Sequence, residues 1–286
     1  MNKNQAGLVQ NETLLQSESS KWFEHRLHRI TASEFKMVSY KVENNAVKNV
    51  NKVKTAVFNI CGNYKSYTSK AAKWGIENKD NARKLYVKEM KKTHKKFSVR
   101  CTGFHISLQH PFVGASPDGI AHCACHKTGL LEIKCPWTYR NLTAKEYAEK
   151  KESCLHVVNG HVELKRNHQY YFQVHCQMGV TGYRYCDFFV CTSKESFTER
   201  IPFNAAFWYI IVTKAMIFYE IVIIPELFNK TWKKAQHDLE VAEEVLNDIV
   251  NKICDVYEHC NFFPTNGVIH IFNIHILNQP FPLFLI

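Results

Sequence analysis

Asp118 stands in the run Ser116-Pro117-Asp118-Gly119, and fourteen residues later come Glu132, Ile133 and Lys134. In a strand, side chains at i and i+2 share a face. Glu132 and Lys134 therefore project together, and Ile133 turns to the packed side. Asp118 falls at a turn-like strand end, with Gly119 after it for backbone freedom. The two strands, joined by residues 122–128, are close enough to be neighbours, so two carboxylates and one ammonium converge. Asp and Glu offer the hard oxygen ligands that suit Mg²⁺ or Mn²⁺. A metal held there polarises a phosphate oxygen and makes water a better nucleophile near neutral pH. The lysine is placed to orient that water or to offset charge in the transition state. The plain alternative is a surface salt bridge, and spacing alone favours it.

Other residues add to this picture. Gln173 and Gln177 sit i, i+4 on one helix face, within reach of the same point, or else form a polar stripe. Lys165 and Arg166 lead into that helix and suit phosphate contacts, which are sequence-independent and weaken with salt. Lys88, Lys91, Lys92, Lys95, Lys96 and Arg100 form a further basic cluster that a solvated face explains equally well. Tyr170, Tyr171 and Phe172 could stack bases, although core packing is the commoner role. His122, Cys123, Cys125 and His126 invite zinc, but Cys-x-Cys lacks the usual C-x2-C spacing and cannot fill four positions alone. A flexible hairpin is the default there.

Elements must place these groups. Residues 1–20 read as a polar, mobile lead-in. Helical spacing follows over Ser20–Met37 and, with a long run of apolar positions, over Lys70–Met90. Strands are expected at Phe97–Ile106, Phe112–Ala121 and Gly129–Cys135. Residues 141–156 read as helix, His161–Lys165 as extended, His168–Val180 as helix, Tyr183–Thr192 and Phe197–Phe203 as strands. The rest reads as mainly helical to Val256, followed by an apolar tail over 257–286. This order suggests one α/β domain with a mixed sheet. With 286 residues, 45% of them hydrophobic, the chain is not mostly disordered. Its formal charge of +11 favours a polyanionic partner weakly. The eleven cysteines are an odd number, and no signal-peptide pattern opens the chain, which points to free thiols in an intracellular, reducing compartment. Ala205–Ile224 is very apolar, but Lys214 and Glu220 interrupt it and Pro225 ends it, so a buried helix is expected rather than a membrane span.

Six motifs in order carry a family resemblance. They are Arg26 with Arg29 and Ser33; Trp74-Gly75-Ile76-Glu77; Gly114-Ala115-Ser116-Pro117-Asp118-Gly119; Leu131-Glu132-Ile133-Lys134-Cys135-Pro136; Gln173 with Gln177 and Met178; and Thr181-Gly182 with Cys186-Asp187-Phe188. Together, from Trp22 to Lys233, they resemble the YqaJ-type viral recombinase domains, which are similar to phage lambda exonuclease and belong to the PD-(D/E)xK nuclease class. The resemblance implies a restriction-endonuclease-like α/β core with a central mixed sheet flanked by helices. It implies Asp118 and Glu132 as metal ligands, the Ile133 carbonyl as a further one, and Lys134 as the catalytic lysine. Glu77 matches an additional acidic residue of the site, Gln173 the glutamine on the following helix, and Arg26 with Ser33 a pair that holds a terminal 5′-phosphate. Where similar proteins often carry a second glutamine, this chain has His175. The implied activity is Mg²⁺- or Mn²⁺-dependent hydrolysis of DNA, first as a 5′-to-3′ exonuclease on double-stranded ends in recombination or repair. An endonuclease of the same core and a non-catalytic DNA-binding module remain open. So do an annealing protein as partner and a homo-oligomer.

Overall fold

The computed structural model describes residues 1–62 and 69–229. Met1–Leu227 form one compact unit, and Phe228–Ile286 a second. The helix expected beyond residue 229 and the apolar tail 257–286 lie outside the described residues. In chain order the elements are α1 (Lys3–Glu12), α2 (Ser20–Arg26), β1 (Ile30–Thr31), α3 (Phe35–Glu43), α4 (Val50–Cys61), α5 (Lys70–Met90), β2 (Ser98–Arg100), β3 (His105–Ile106), β4 (Val113–Ala115), β5 (Gly119–Cys123), β6 (Lys127–Lys134), α6 (Ala144–Ala148), β7 (Leu155–Val158), β8 (His161–Leu164), α7 (Gln169–Thr181), β9 (Tyr185–Cys191), β10 (Ser196–Pro202), α8 (Ala205–Phe218) and α9 (Ile224–Asn229).

Five strands form the central sheet in the order β10-β9-β6-β5-β2. β6 and β9 run parallel, and every other neighbouring pair is antiparallel. This is the mixed sheet the sequence implies. A parallel pair needs a long crossover, here α6, the β7–β8 hairpin and α7. Leu130 of β6 packs with Val174 and Met178 of α7 and with Phe188 and Val190 of β9. Leu131 and Ile133, on the opposite face, pack with Ala82 and Tyr86 of α5 and with Phe189. The sheet is thus covered on both sides, which is why its central strands read as apolar runs.

Several segments differ from their sequence reading. Phe97–Ile106 is not one strand: β2 edges the central sheet, while β3 joins β4 and β1 in a second, three-stranded sheet. Phe112–Ala121 is split into β4 and β5 at Ser116–Asp118, where Pro117 has no N–H to give a ladder. Of residues 141–156 only Ala144–Ala148 are helical, and β7 begins at Leu155. The Thr143/Glu146 capping box of α6 fits the helical reading, but β-branched Val157 and Val158 with the Asn159-Gly160 turn draw the rest into a hairpin. Both turn residues have positive φ, 49° and 82°, as a two-residue hairpin requires. Gly119 does not use its freedom of φ. An added Cβ there would stand 2.8 Å from Val99 Cγ1, so the glycine permits close packing against β2.

Residues 1–20, expected as a mobile lead-in, contain α1. Val9 is buried with Phe104 and Ile106, and the Phe104 amide donates to the Thr13 hydroxyl at 2.7 Å. Gln16 donates to the carbonyls of Thr102 and Pro117 at 3.0 and 2.9 Å. One buried apolar residue and three polar side chains (Gln10, which donates to Thr102 at 3.0 Å, with Thr13 and Gln16) suffice to dock the segment, too few to make a periodic pattern.

The helix from Ala205 to Phe228 is long and apolar enough, by length and composition, to cross a membrane. In this fold α8 packs on α3 and α7, and Lys214 pairs with Glu43 at 2.6 Å. A π turn over Tyr219–Ile223 precedes Pro225; proline removes a helical hydrogen bond and clashes with the preceding turn, which a wider turn accommodates.

Arg200 and Asp187 face one another across β10 and β9. The guanidinium donates to both carboxylate oxygens at 2.8 and 2.9 Å, and the Tyr86 hydroxyl donates to Oδ2 at 2.6 Å. Asp187 is 1% exposed, so losing Arg200 strands a buried charge. Arg200→Ala should lower unfolding free energy by about 3 kcal/mol in urea titration. Lys194→Ala, which breaks the exposed pair with Glu146, should cost about 0–1 kcal/mol. Equal, small losses would remove the Asp187 network from the determinants of stability.

Candidate active site

Asp118 closes the β5–β6 ladder in an irregular way. Its amide donates to the Leu131 carbonyl at 3.0 Å, but its side chain, through Oδ2, accepts the next amide, that of Ile133, at 2.8 Å. That substitution brings the Asp118 carboxylate beside Glu132. Its other oxygen, Oδ1, takes an ion pair from Lys79 of α5 at 2.7 Å. Asp118 and Glu132 are 4% and 3% exposed.

Glu132 points to the α7 side of the sheet, as the alternation of β6 requires. Lys134, two residues on, reaches Oε1 at 2.7 Å. The Gln173 amide donates to the same oxygen at 2.7 Å and accepts from Lys134 at 3.0 Å. Gln177, one helical turn further, donates to Oε2 at 2.7 Å. Lys134 Nζ lies 4.0 Å above the Tyr170 ring. Gln177 Oε1 is buried and has no hydrogen-bond partner among the described residues.

The electrostatics follow from burial. Loss of solvent and then the neighbouring Asp118 carboxylate raise Glu132 above the usual carboxylate range, against the pull of Lys134 and the amide of Gln177. The Asp118 carboxylate raises Lys79, although burial opposes it. Burial alone would lower Lys134, but Glu132, Tyr170 and Asp118 more than offset it and hold the ammonium above its ordinary value. Cys135, next in the chain, is pushed up to about 12, chiefly by burial. It is a thiol, with no means to act as a nucleophile at neutral pH.

Asp118, Glu132, Lys134, Lys79, Gln173 and Gln177 line one cleft of about 300 Å³, together with Arg26, Ser33, Ile76 and Trp22. The Trp22 indole donates to Ser116 Oγ at 2.7 Å, tying α2 to the Asp118 loop. Arg26 lies 4.0 Å over the Trp22 ring. Thr31 makes the capping box with Glu34, which leaves exposed Ser33 with no cap to form and only a 3.2 Å contact to Thr31 Oγ1.

Three expected positions are not brought in. Glu77 is 56% exposed on its side chain and pairs with Lys73 at 3.9 Å. Ile76 and Lys79 of the same helix line the cleft, and Glu77 sits about 100° round the axis from Ile76. The helix phase thus gives Lys79 the place expected of Glu77. Lys165 donates to the Lys151 carbonyl at 3.1 Å. Arg166 pairs with Glu163 and Glu199 at 3.1 and 2.7 Å. Both are spent on the β7–β8 hairpin and its neighbours. Tyr171 contacts Phe207 and His175, and Phe172 contacts Phe207, which is packing rather than an open stacking surface. Lys79 was missed in sequence because a lysine three residues after Ile76 reads as a solvated charge.

The model of the YqaJ-like viral recombinase domain matches residues 21–184, more than half of the chain. No match was found among curated proteins. Among solved structures, LHK-Exo in complex with dAMP aligns with a TM-score of 0.51 at 24% identity, covering 74% of this chain and 99% of that one. An alkaline exonuclease (LHK-Exo) from Laribacter hongkongensis aligns with a TM-score of 0.51 at 23% identity, covering 76% and 99%. These likenesses show the fold that the sequence implied.

The two glutamines hold Glu132 unequally. Gln177→Leu removes the donor to Oε2, whereas after Gln173→Leu the oxygen Oε1 still has Lys134. In chelator, Gln177→Leu should cost about 1–3 kcal/mol, the penalty of an unsatisfied buried group, and Gln173→Leu less. The reverse order in urea unfolding would mean Glu132 is not held as described.

Proposed function

We propose, for a chain that belongs to the YqaJ-like viral recombinase domain family, that it is a metal-dependent nuclease hydrolysing phosphodiester bonds at the ends of double-stranded DNA. The observation that carries this reading is the meeting of Asp118, Glu132, Lys134 and Gln173 in one cleft that Arg26 and Ser33 also line.

The donor set fits a divalent cation. Asp118, Glu132 and the Ile133 carbonyl offer oxygen alone, the preference of Mg²⁺ or Mn²⁺. Two buried carboxylates with Glu132 raised by burial and by its neighbour are relieved by positive charge between them. The unpaired Gln177 Oε1 is an acceptor ready for water at the same place. When bound, the cation supplies polarisation of the phosphate and a lower barrier to attack by water.

The remaining work falls to the chain's own groups. Water attacks phosphorus, the bond from phosphorus to the 3′ oxygen breaks, and the products are a 5′-phosphate and a 3′-hydroxyl. Lys134, held by Glu132 and Gln173, is placed to position water and offset phosphate charge. Gln173 fixes Lys134 and Glu132 relative to each other. Arg26 forks onto the oxygens of a terminal 5′-phosphate, with Ser33 as a further donor, which sets a 5′-to-3′ polarity. The wider process is recombination or repair of DNA within the cell.

Incubating the pure chain with linear and covalently closed duplex DNA, with and without Mg²⁺, tests this. Linear DNA should be degraded only with the metal, and closed circles spared; cutting of circles would make the protein an endonuclease. Asp118→Asn should slow cleavage by more than about 100-fold while DNA binding persists. Undiminished cleavage would move the site elsewhere. Removing the 5′-phosphate should slow the wild type by about 10–100-fold, the scale of a charged hydrogen bond, and leave Arg26→Gln indifferent.

A further inference from the structure

The turn of the β5–β6 hairpin lies at the opposite end from Asp118 and Glu132, and it gathers a second set of ligating side chains. A ring nitrogen of His94, Sγ of Cys123 and a ring nitrogen of His126 all lie within 4.8 Å of one another. Cys123 Sγ and His126 Nδ1 are 3.7 Å apart. In a tetrahedral zinc site, Zn–S of about 2.3 Å and Zn–N of about 2.0–2.1 Å set donors roughly 3.3–3.6 Å apart, so that pair needs almost no movement. The two imidazole centroids are 5.0 Å apart.

Three further features favour a metal over a chance cluster. First, the His126 amide donates to Cys123 Sγ at 3.2 Å, a contact that steadies a thiolate. Secondly, the Met90 carbonyl lies 3.1 Å from His94 Nδ1. Thr93 Oγ1 also lies 2.8 Å from Nδ1, so that nitrogen is engaged in the kind of outer contact that metal-bound imidazoles make through their second nitrogen. Thirdly, Cys125 in the same turn is a candidate fourth ligand, standing outside the three whose ligating atoms lie within 4.8 Å of one another. Cys125 is exposed, and its sulfur accepts from the Lys95 amide at 3.4 Å, next to His94. Cys123 is buried while His126 is exposed, so the site has both a fixed ligand and an opening to solvent.

We propose that His94, Cys123, Cys125 and His126 bind one Zn²⁺ that pins the β5–β6 hairpin to the end of α5. The softer sulfur and nitrogen donors select zinc over the hard cations suited to the carboxylates. Each thiol releases its proton to solvent as its sulfur joins the metal. The site is structural: four protein ligands leave no open position for a reacting group.

The test is metal analysis and cobalt substitution of the untagged full chain. Purified protein should carry close to one zinc per chain, and dialysis against chelator should remove it with a fall in Tm that zinc, not magnesium, restores. Cobalt(II) should give intense tetrahedral d–d bands and a sulfur-to-metal charge-transfer band in the near ultraviolet, which a carboxylate site cannot give. His126→Ala, a change at an exposed residue, should weaken zinc binding by more than the roughly 10–100-fold that outer-shell changes cost. Cys125→Ser should reduce the charge-transfer intensity by about half, the share of one of two proposed thiolates. Zinc well below stoichiometric after zinc-supplemented expression, a cobalt spectrum without the sulfur band, or unchanged affinity in His126→Ala would each overturn the proposal. A full charge-transfer band in Cys125→Ser would reject the Cys125 assignment.

Discussion

Two carboxylates forced together under almost complete burial are the constraint on which this structure turns. Asp118 and Glu132 repel each other and have lost nearly all their water. Isolated, such a pair would shift its protons or unfold the site. The fold answers with five donors from three elements: Lys79 from α5, the Ile133 amide and Lys134 from β6, and Gln173 and Gln177 from α7. None of the five is local to Asp118 in sequence. The site is therefore a product of the sheet being covered on both faces, with α5 serving the Asp118 side and α7 the Glu132 side. The crossover between β6 and β9 is what brings α7 there.

The same arrangement explains why apparently remote segments matter. In the Ser116–Asp118 bend Pro117 has no donor, and the Asp118 amide on Leu131 is the ladder bond that remains. Beyond it, Gln16 donates to the Pro117 carbonyl and Trp22 to Ser116. Those contacts come from the first helices of the chain, and they also carry Arg26 to the cleft. Positioning of the carboxylate and positioning of the arginine are thus one packing event. A loop that projects a metal ligand needs such side-chain support to keep the ligand from wandering by the ångström that matters.

Much of this was legible in the sequence, for local reasons. Alternation along β6 placed Glu132 with Lys134 and against Ile133, and i, i+4 spacing placed Gln173 with Gln177. The span of α5 was read correctly because its apolar positions recur at helical period. What failed was phase and tertiary pairing. Glu77 and Lys79 differ by two residues on one helix, and only packing against the hairpin decides which faces the carboxylates. Lys165 and Arg166 looked free because the Lys151 carbonyl and Glu199 are 14 and 33 residues away in the chain. Val9 gave α1 too little pattern to be seen. The Cys/His hairpin was judged short of ligands because His94 lies 29 residues before Cys123 and shares no motif with it.

The two clusters are best understood as the two ends of one lever. From Lys79 to Met90, where α5 ends, is 11 residues, roughly 16 Å at a helical rise of 1.5 Å. From Asp118 to Cys123 along β5 is five residues, roughly 17 Å at the rise of a strand. The matching lengths mean that α5 and the β5–β6 hairpin lie side by side and touch at both ends, through Lys79 and Asp118 at one and through His94, Cys123 and His126 at the other. Between these ends the contact is apolar, Ala82 and Tyr86 against Leu131 and Ile133. Such packing resists separation but gives little directional hold against sliding along the strand. Polar fastening at both ends supplies that register. One end has charge pairs that compete with the chemistry, since Lys79 neutralises a carboxylate a cation would otherwise use. The other end is free of that conflict, and so it is the end where a permanent crosslink costs the cleft nothing.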